Sequence, residues 1–269
     1  MPEGHTIHRY ARLHRKTLGG VPLAVSSPQG RFAQGAALLD GHRIDEVDAV
    51  GKHLFYHWSN GQTLHVHLGL FGKFKTFRNQ LESPRTPTAG TRLAMSTGDE
   101  VVHLAGPTAC DLVTPDEQES ILSRLGPDPL GSDADYDRFA TALRRRRIPL
   151  GAALLDQKVI AGIGNVYRSE IPFLAGIDPR RPANEVDEDE AALLWKLVSQ
   201  ELKRGEKSGR IVTVEPSDVG ATRRSQLTRA NRVYAYKRTG EPCFRCPDPI
   251  SMVELANRKA WWCPTCQPR

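Results

Sequence analysis

The first half of the chain alternates between one helical pattern and a series of short apolar segments. Over residues 6–20, apolar and aromatic positions recur with the spacing of a helix, and a glycine pair ends the pattern. From about residue 21 to residue 113 the apolar segments are short, which predicts β-strands. Turn signals separate them at Asp40-Gly41, Asn60-Gly61 and Gly98-Asp99. These patterns predict an antiparallel β-sandwich or a flattened barrel, with the N-terminal helix packed against it.

One of these turns also predicts a strand register. Asn60-Gly61 is typical of a two-residue hairpin turn, in which both central residues take positive φ angles. In that register Trp58 faces Thr63, and Lys52 falls opposite Gly69. The prediction therefore places Lys52 beside the glycine-flanked loop that follows the hairpin.

The second half of the chain is helical before it becomes rich in cysteine. A connector with many prolines and glycines interrupts the pattern, since proline cannot continue a helix. Helices are then predicted from Tyr136, over residues 150–159, from Asn165, and from Asp187 to Arg204. Residues 206–231 are polar and predict a mobile loop, and strands are predicted from Arg232 onward.

These changes predict an α+β protein with two domains, which a length of 269 residues also favours. Residues 1–115 form the N-terminal β domain and residues 116–134 the linker. Residues 135–231 form the helical domain, and residues 232–269 form a small unit around the cysteines.

Charge and composition favour a polyanionic partner. Lys and Arg number 37 against 31 Asp and Glu, which gives a net charge of +6 and a pI near 9.2. Nucleic acid is the first candidate, although many basic proteins bind none. The sequence contains no apolar run of membrane-spanning length and no secretory signal, so we expect a soluble, cytoplasmic protein that does not bind membranes.

The cysteines give the strongest local signal. Cys243 and Cys246 form one C-x-x-C pair, Cys263 and Cys266 form another, and 16 residues separate the pairs. This spacing predicts a zinc site with four cysteine ligands, and a disulfide pair is disfavoured in a cytosolic chain. Four protein ligands leave no position for a reacting water, so the zinc is expected to be structural. Cys110 lies apart in an apolar segment and is expected to be a buried free thiol.

Two short segments are candidates for phosphate binding. Gly162-x-Gly164 forms a tight turn before Asn165, which is expected to cap a new helix and to offer a phosphate site at its start. An ordinary helix–turn–helix corner explains the same pattern equally well. Asn257-Arg258-Lys259 lies at the presumed hairpin tip of the cysteine segment, where basic residues suit phosphate or minor-groove contact. The alternative is a solvated turn.

The N-terminus offers a candidate nucleophile. If Met1 is removed, Pro2 carries a free secondary amine with Glu3 beside it. An α-amine titrates near about 7.7–8.0, and the positive end of the following helix would lower this pKa further. Such an amine forms Schiff bases with sugar carbons. The alternative is a frayed terminus.

The remaining candidates are more ambiguous. Leu70-Phe71 lies between glycines, and such a pair can enter a base stack when it is exposed, although it is more often part of a core. His53, His57, His65 and His67 are more readily explained as residues on a polar sheet face than as metal ligands.

Taken together, these motifs resemble those of the Fpg/Nei DNA glycosylases, the family of formamidopyrimidine-DNA glycosylase and endonuclease VIII. The resemblance is carried by Met-Pro-Glu-Gly at the start, Gly51-Lys52, Leu-Gly-Pro-Asp-Pro-Leu, Leu-Leu-Asp-Gln followed by Ala-Gly-Ile-Gly-Asn, and the terminal cysteines. It covers nearly the whole chain and is strongest for the endonuclease VIII branch, and within it for the second endonuclease VIII of actinobacteria. It implies an N-terminal β-sandwich, a helix–two-turn–helix bundle and a four-cysteine zinc finger.

The resemblance also implies roles for individual residues. Pro2 would be the nucleophile at C1′ of the damaged nucleotide, Glu3 the general acid/base at the sugar, and Lys52 a phosphate ligand near the lesion that helps to protonate the sugar. For DNA binding, Asn165 and Arg258 would bind phosphates, and Leu70 and Phe71 would fill the gap left by the flipped base. Two departures from the family stand out: Thr6 occupies a position at which many members have a carboxylate, and Gly69 one that is often polar.

The function that follows is removal of oxidised bases, with pyrimidines favoured, and strand cleavage by β,δ-elimination at an extruded nucleotide. We expect one structural zinc and neither a catalytic metal nor a redox cofactor. The expected partner of this monomeric, nucleoid-associated protein is damaged DNA in duplex form, with bubble or single-stranded DNA as further candidates. Two alternatives stay open: an enzyme that acts mainly as an AP lyase on abasic sites, and a non-catalytic damaged-DNA-binding protein of the same fold.

Overall fold

The computed structural model describes residues 2–78, 85–132 and 134–269, so Met1 lies outside the described residues. The chain forms two compact units, Met1–Ser123 and Arg124–Arg269. Among the described helices, none is long and apolar enough to cross a membrane.

The first unit is an antiparallel β-sandwich with helices at its margins. Its helices are α1 (Gly4–Leu18), α2 (Ala33–Leu39) and α3 (Pro115–Leu122). Its strands are β1 (Ala24–Ser26), β2 (Ile44–Val50), β3 (His53–Trp58), β4 (Thr63–His67), β5 (Lys73–Phe77), β6 (Thr91–Ser96), β7 (Val101–Ala105) and β8 (Ala109–Val113). One sheet has the order β1-β6-β7-β5 and the other has the order β2-β3-β4-β8. The predicted sandwich with a flanking N-terminal helix is thereby confirmed.

Side chains at alternate positions of the strands point inward and form the core of this unit. Leu54 and Val66 pair across β3 and β4 and point into the same apolar cluster as Leu93 and Leu104 of the other sheet. Helix α1 adds its apolar stripe to this cluster through residues such as Ile7. The predicted free thiol of Cys110 is confirmed: it lies in this core, and burial raises its pKa to about 12.

The predicted register of the β3–β4 hairpin is wrong by one residue. His57, rather than Trp58, pairs with Thr63. The loop has three residues, because the Gly61 N–H bonds to the Trp58 carbonyl at 2.8 Å and the Trp58 N–H bonds to the Gln62 carbonyl at 2.9 Å. Only the glycine of the Asn-Gly pair has a positive φ, at 79°, which is typical of a type I turn followed by a glycine bulge.

The helices of this unit also differ from the predictions in three respects. Helix α1 starts at Gly4, two residues earlier than predicted, because Glu3 already accepts the Thr6 N–H at its carbonyl at 2.8 Å. Helix α2 lies within the segment predicted to be all β, and α3 lies at the start of the predicted linker. A capping box explains α3, since Thr114 and Glu117 each bond the other's backbone N–H.

The second unit is mainly helical and ends in a hairpin. Its helices are α4 (Tyr136–Arg144), α5 (Leu150–Ala153), α6 (Tyr167–Ala175) and α7 (Glu188–Ser208), and three short 3-10 turns occur at Ala183–Glu185, Pro216–Val219 and Arg224–Gln226. Strands β9 (Ser251–Leu255) and β10 (Arg258–Trp262) pair in an antiparallel hairpin. Asp187 caps α7 in a capping box with Glu190, at the start of the helix predicted from Asp187.

Two helix predictions in this unit need correction. The helix predicted over residues 150–159 ends at Ala153, because the chain turns around Asp156, whose carboxylate bonds Arg146 and the Lys158 N–H. The loop predicted to start at residue 206 begins only after Ser208, and it contains two of the 3-10 turns. The boundaries at residues 115, 134 and 231 stay predictions.

The hairpin and the cysteine segment pack onto the helices of the same unit. Ile250 and Trp261 share an apolar cluster with Phe173 of α6 and with Tyr234. Leu255 and Ala260 form a smaller cluster with a residue of α5. The hairpin therefore has no separate core, as its small size leads one to expect.

Candidate active site and nucleic-acid interface

Pro2 and Glu3 lie at the start of α1. Glu3 is the N-cap residue, with extended backbone angles and a fully buried position, while Pro2 is half-buried. The carboxylate predicted to act as acid or base is therefore shielded from water beside the predicted nucleophile. The N-terminal end of α1 adds its partial positive charge at the same place.

The alignment of α1 with β2 brings Lys52 to the same end of the sandwich. At the far end of the helix, the Gly20 N–H bonds to the Ile44 carbonyl at 2.9 Å, and Arg15 donates to the carbonyl of Val47. The two elements therefore run antiparallel. From Arg15 back to the helix start is about 16 Å at the rise of an α-helix. From Val47 forward to Lys52 is also about 16 Å at the rise of a strand. The β2–β3 turn thus lies level with the start of α1.

Two residues after Glu3, the start of α1 carries a histidine. Burial, followed by the charges of the N-terminus and Arg9, lowers the pKa of His5 to about 4, so this ring is neutral at physiological pH. Its Nε2 atom lies 3.0 Å from the hydroxyl of Thr6. Thr6 therefore presents a hydroxyl that hydrogen-bonds a neutral imidazole.

Lys52 lies beside a cluster of histidine rings on the face of β3 and β4 that points away from the apolar core. His53 follows it directly, and the His53 ring centroid lies 4.8 Å from that of His67 and 5.1 Å from that of His65. Burial, and next the charge of Lys52, lowers the pKa of His67. His53 Nδ1 lies 2.9 Å from His65 Nε2, so these rings hydrogen-bond each other. They form no metal-binding group with other His, Cys, Asp or Glu residues among the described residues.

Leu70 and Phe71 form an exposed apolar tip between β4 and β5. Their exposed fractions are 54% and 84%, so the interpretation as core residues is wrong. The glycines on either side are required by close packing. A Cβ on Gly69 would lie 1.9 Å from the Thr108 hydroxyl oxygen, and one on Gly72 would lie 2.2 Å from the Leu68 carbonyl oxygen. The tip therefore has a defined loop conformation, which suits insertion into a base stack.

In the second unit, Asn165 does not cap the helix as predicted. Val166 is the N-cap residue of α6, and the Asn165 amide instead donates to the carbonyl of Lys259 at 3.2 Å. An amide nitrogen carries two hydrogens, so a second donor is left for a phosphate. The structure thus brings Asn165 to the hairpin turn, the other segment predicted to bind phosphate.

The hairpin turn itself presents two basic side chains. Ala256 and Asn257 have φ angles of 51° and 57°, which defines a two-residue turn with both central residues left-handed. Arg258 pairs with Leu255 and closes this turn, and both Arg258 and Lys259 are exposed. The predicted position of Arg258 at the hairpin tip is confirmed.

Sequence reasoning missed two buried charged residues on α6. Arg168 donates to three carbonyls of the hairpin, and the Glu170 carboxylate accepts the N–H groups of Tyr234, Ala235 and Tyr236 at 2.7–2.9 Å. Both side chains are fully buried. The available signal was the presence of an arginine and a glutamate in an otherwise apolar helical stretch, because buried charges need partners.

The four cysteines have the geometry of a tetrahedral zinc site. Their sulfurs all lie within 4.8 Å of one another, and three of the pairs are separated by 3.8 Å, 3.4 Å and 3.6 Å. A tetrahedron with zinc–sulfur bonds of about 2.3 Å requires sulfurs about 3.8 Å apart. The donor set therefore fits a structural zinc ion with four protein ligands, as the spacing predicted.

Comparison with known families matches three parts of the chain. Residues 1–107 match the formamidopyrimidine-DNA glycosylase N-terminal domain, and residues 125–215 match the H2TH domain of the same glycosylase. Residues 240–269 match the zinc finger found in FPG and IleRS.

Individual relatives agree with this pattern. The chain is 43% identical to Endonuclease 8 1 of Mycobacterium tuberculosis, over 99% of this chain and 100% of the relative. It is 33% identical to Probable endonuclease 8 2 of Streptomyces coelicolor, over 99% and 94%, and 32% identical to a formamidopyrimidine-DNA glycosylase of Thermus thermophilus, over 99% and 97%. The sequence identity is thus higher to the Mycobacterium tuberculosis endonuclease than to the Streptomyces coelicolor endonuclease.

Solved structures show the same architecture. The chain superposes on Lactococcus lactis Fpg in complex with DNA that contains an abasic site, with a TM-score of 0.80 and 26% identity, over 99% of this chain and 100% of that one. A complex of the same protein with DNA that contains N7-benzyl-Fapy-dG gives a TM-score of 0.80 and 26% identity over the full length of both chains.

Proposed function

Because this chain belongs to the Fpg/Nei family of DNA glycosylases, we propose that it removes oxidised bases, pyrimidines before purines, through a Schiff base at Pro2. The chain is a DNA glycosylase with AP lyase activity that acts on damaged DNA in base excision repair. The identity of the base and the roles of individual residues are the content of the proposal.

The observation that carries the proposal is the alignment of α1 with β2. It supports placing the Pro2 amine, the buried Glu3 carboxylate and the Lys52 ammonium at one end of the first unit. A nucleophile, an acid/base group and a phosphate ligand at one place are the groups that sugar chemistry on DNA requires. None of these groups needs a bound metal or a redox cofactor.

In the proposed reaction, the Pro2 nitrogen donates its lone pair to C1′ while the bond from C1′ to the base breaks. The base leaves with the bonding electrons and gains a proton, and Glu3 transfers protons at the sugar. The Pro2 nitrogen then loses its proton, the C1′–O4′ bond breaks as O4′ gains a proton from Glu3 or Lys52, and the nitrogen lone pair forms the C1′=N bond of an iminium ion. This ion withdraws electrons, so loss of a C2′ proton expels the 3′ phosphate. A second elimination then expels the 5′ phosphate, which leaves a one-nucleotide gap with phosphates at both ends.

DNA binding is assigned to four further residues. Asn165 and Arg258 are proposed to bind backbone phosphates, because they lie together at the hairpin turn of the second unit. Leu70 and Phe71 are proposed to occupy the space left by an extruded nucleotide, because both are exposed on a loop whose flanking glycines are closely packed. Damaged bases pair and stack poorly, which lowers the cost of extrusion.

A trapping experiment tests the nucleophile. Protein with a free Pro2 amine, verified by mass spectrometry, is incubated with abasic-site DNA and borohydride, and a covalent adduct is expected. Lys52→Met should lower the rate of trapping, whereas Lys16→Met, at the other end of α1, should not. Absence of an adduct from protein with a verified free Pro2 amine would contradict the proposal.

Substrate choice is tested with a panel of lesions in duplex, bubble and single-stranded DNA. We expect faster base release from oxidised pyrimidines than from oxidised purines. Cleavage of abasic sites without base release would instead favour an enzyme that acts mainly as an AP lyase, and Thr6 in place of a carboxylate is the feature that keeps this alternative open. Tight binding of damaged DNA without any cleavage would favour a non-catalytic protein. We further propose that the protein acts as a monomer in the cytoplasm, on nucleoid DNA.

A further inference from the structure

Arg168 is a fully buried arginine whose guanidinium has several backbone carbonyl partners. It lies on α6, three residues after Asn165, and its exposed fraction is 0%. Burial of a guanidinium costs several kcal/mol unless hydrogen bonds replace the lost water. The hydrogen-bond partners of Arg168 therefore indicate what the buried guanidinium does in the fold.

The hydrogen bonds of Arg168 converge on the hairpin turn. Its Nη1 donates to the Leu255 carbonyl at 3.1 Å, and its Nη2 donates to the carbonyls of Arg258 at 2.6 Å and Lys259 at 2.8 Å. Leu255 is the last residue before the two-residue turn, and Arg258 is the first residue after it. The guanidinium therefore holds the backbone on both sides of the turn from beneath, while the side chain of Arg258 points into solvent.

The Lys259 carbonyl also accepts a hydrogen bond from the Asn165 amide. The Lys259 oxygen accepts one hydrogen bond from Arg168 and another from the Asn165 amide, so both proposed phosphate ligands are tied to one short stretch of backbone. Two phosphate ligands act on one phosphate only when their separation is fixed. The planar fork of arginine has donors on separate nitrogens and so reaches carbonyls on both sides of the turn, whereas the three donors of lysine share one nitrogen.

We propose that Arg168 is a positioning residue for DNA phosphate binding, which sets the Arg258 side chain relative to Asn165 so that both contact the same phosphate. This inference rests on the phosphate roles given to Asn165 and Arg258 above. Its buried charge also lies beneath the turn that carries Arg258, so it adds to the local positive potential without being exposed to DNA.

The test is a double-mutant cycle with DNA that carries a non-cleavable abasic analogue. Arg258→Ala, Arg168→Lys and the double variant are compared for affinity, for the slope of affinity against salt, and for zinc content. We expect each single variant to bind about tenfold more weakly, and to lose about one unit of salt slope, as for one lost phosphate contact. The double variant should bind no more weakly than Arg258→Ala, because Arg168 acts through Arg258.

A matched control is Arg238→Lys. Arg238 is also buried and donates to two carbonyls, those of Tyr234 and Pro242, but neither belongs to the hairpin turn. This variant should lose stability and keep the salt slope. On cleavable substrate, Arg168→Lys should raise KM and leave kcat at saturating DNA unchanged, since the proposed chemistry lies at Pro2.

Three results would overturn the inference. Additive effects in the cycle would mean that Arg168 acts independently of Arg258. An unchanged salt slope in Arg168→Lys with zinc retained would mean that the turn needs no such support. Loss of zinc in both Arg168→Lys and the neutral variant Arg168→Gln would make Arg168 a residue of the fold alone. An unchanged slope in Arg258→Ala removes the phosphate role on which the inference rests, while borohydride trapping separately decides the role of Pro2.

Discussion

A side chain on Gly69 would collide with Thr108. A Cβ at this position would lie 1.9 Å from the Thr108 hydroxyl oxygen, and the φ angle of 63° adds a second penalty of about 1–2 kcal/mol for any other residue. The position is therefore closed to larger residues in this chain. The identity of this glycine follows from packing at the base of the exposed tip.

This contact gives a compensation test. Gly69→Ala should lower the free energy of unfolding by more than the backbone penalty alone, because the Thr108 hydroxyl must also move. Adding Thr108→Ala should restore part of the loss, and the left-handed φ angle should account for the rest. Chemical denaturation of the two variants and of Thr108→Ala alone measures the coupling. Strictly additive effects would show that the hydroxyl does not restrict this position.

The apolar tip should matter for activity and not for stability. Phe71→Ala removes a side chain that is 84% exposed, so we expect the free energy of unfolding to change by no more than about 0.5 kcal/mol. Lesion cleavage in duplex DNA should slow markedly, because the gap in the stack is left unfilled. Cleavage of the same lesion in single-stranded DNA should change little, and an equal loss on both substrates would rule out the wedge role. Phe77→Ala, on the following strand, is a suitable comparison.

Zinc and DNA binding should be lost together. Cys263→Ser removes one of four ligands, and metal binding is worth about 10–16 kcal/mol in comparable zinc-finger peptides. The hairpin that carries Arg258 should then lose its geometry. Zinc content by atomic absorption and affinity for abasic-analogue DNA are the measurements, and Cys110→Ser, a buried thiol far from the metal ligands in sequence, is the control for lost thiol burial. Tight DNA binding by zinc-free protein would contradict this picture.

Acid should destabilise the first unit through buried histidines. Burial lowers the pKa of His14 to about 3, and His14 Nδ1 lies 2.7 Å from the Tyr56 hydroxyl. The unfolded chain takes up a proton below about pH 6.5, whereas the folded chain does not until about pH 3. The contribution of neutral His14 to the free energy of unfolding is therefore fully present above pH 6.5 and is lost as the pH decreases toward 3.

The size of this effect can be isolated with one substitution. His14→Gln should reduce the pH dependence of the unfolding free energy by up to about 1.4 kcal/mol per pH unit between about pH 6 and pH 4, the value for one proton. Urea unfolding of both proteins at several pH values within this range measures the difference. Parallel curves for the two proteins would mean that His14 is protonated in the folded state.

Local signals predicted those features that short stretches of sequence determine. The C-x-x-C spacing identified the zinc ligands, and the glycine-flanked Leu70-Phe71 identified a loop tip. The hairpin register was missed because an Asn-Gly pair is compatible with loops of two or three residues, and the choice depends on which strand residues the core accepts.

The contacts of α6 could not be predicted because their partners are distant in sequence. Asn165 is a good helix cap by local preference, but its amide N–H donates to the carbonyl of Lys259, 94 residues later, and its Oδ1 accepts no N–H of the helix. Arg168 and Glu170 depend in the same way on backbone groups that come together only in the folded unit. Local preference predicted the helix, and tertiary structure determined the use of its polar side chains.

The packing of Ile250 and Trp261 against Phe173 and Tyr234 bears on how far the finger can be treated as a module. Family comparison assigns residues 240–269 to a segment that other proteins also carry. In this chain, however, its apolar side chains pack against a residue of α6, and its turn carbonyls accept hydrogen bonds from α6. A finger transplanted into another protein would carry its metal ligands but leave behind the surface that gives the hairpin its shape. Exchange of fingers between family members should therefore succeed only when the matching α6 is exchanged as well.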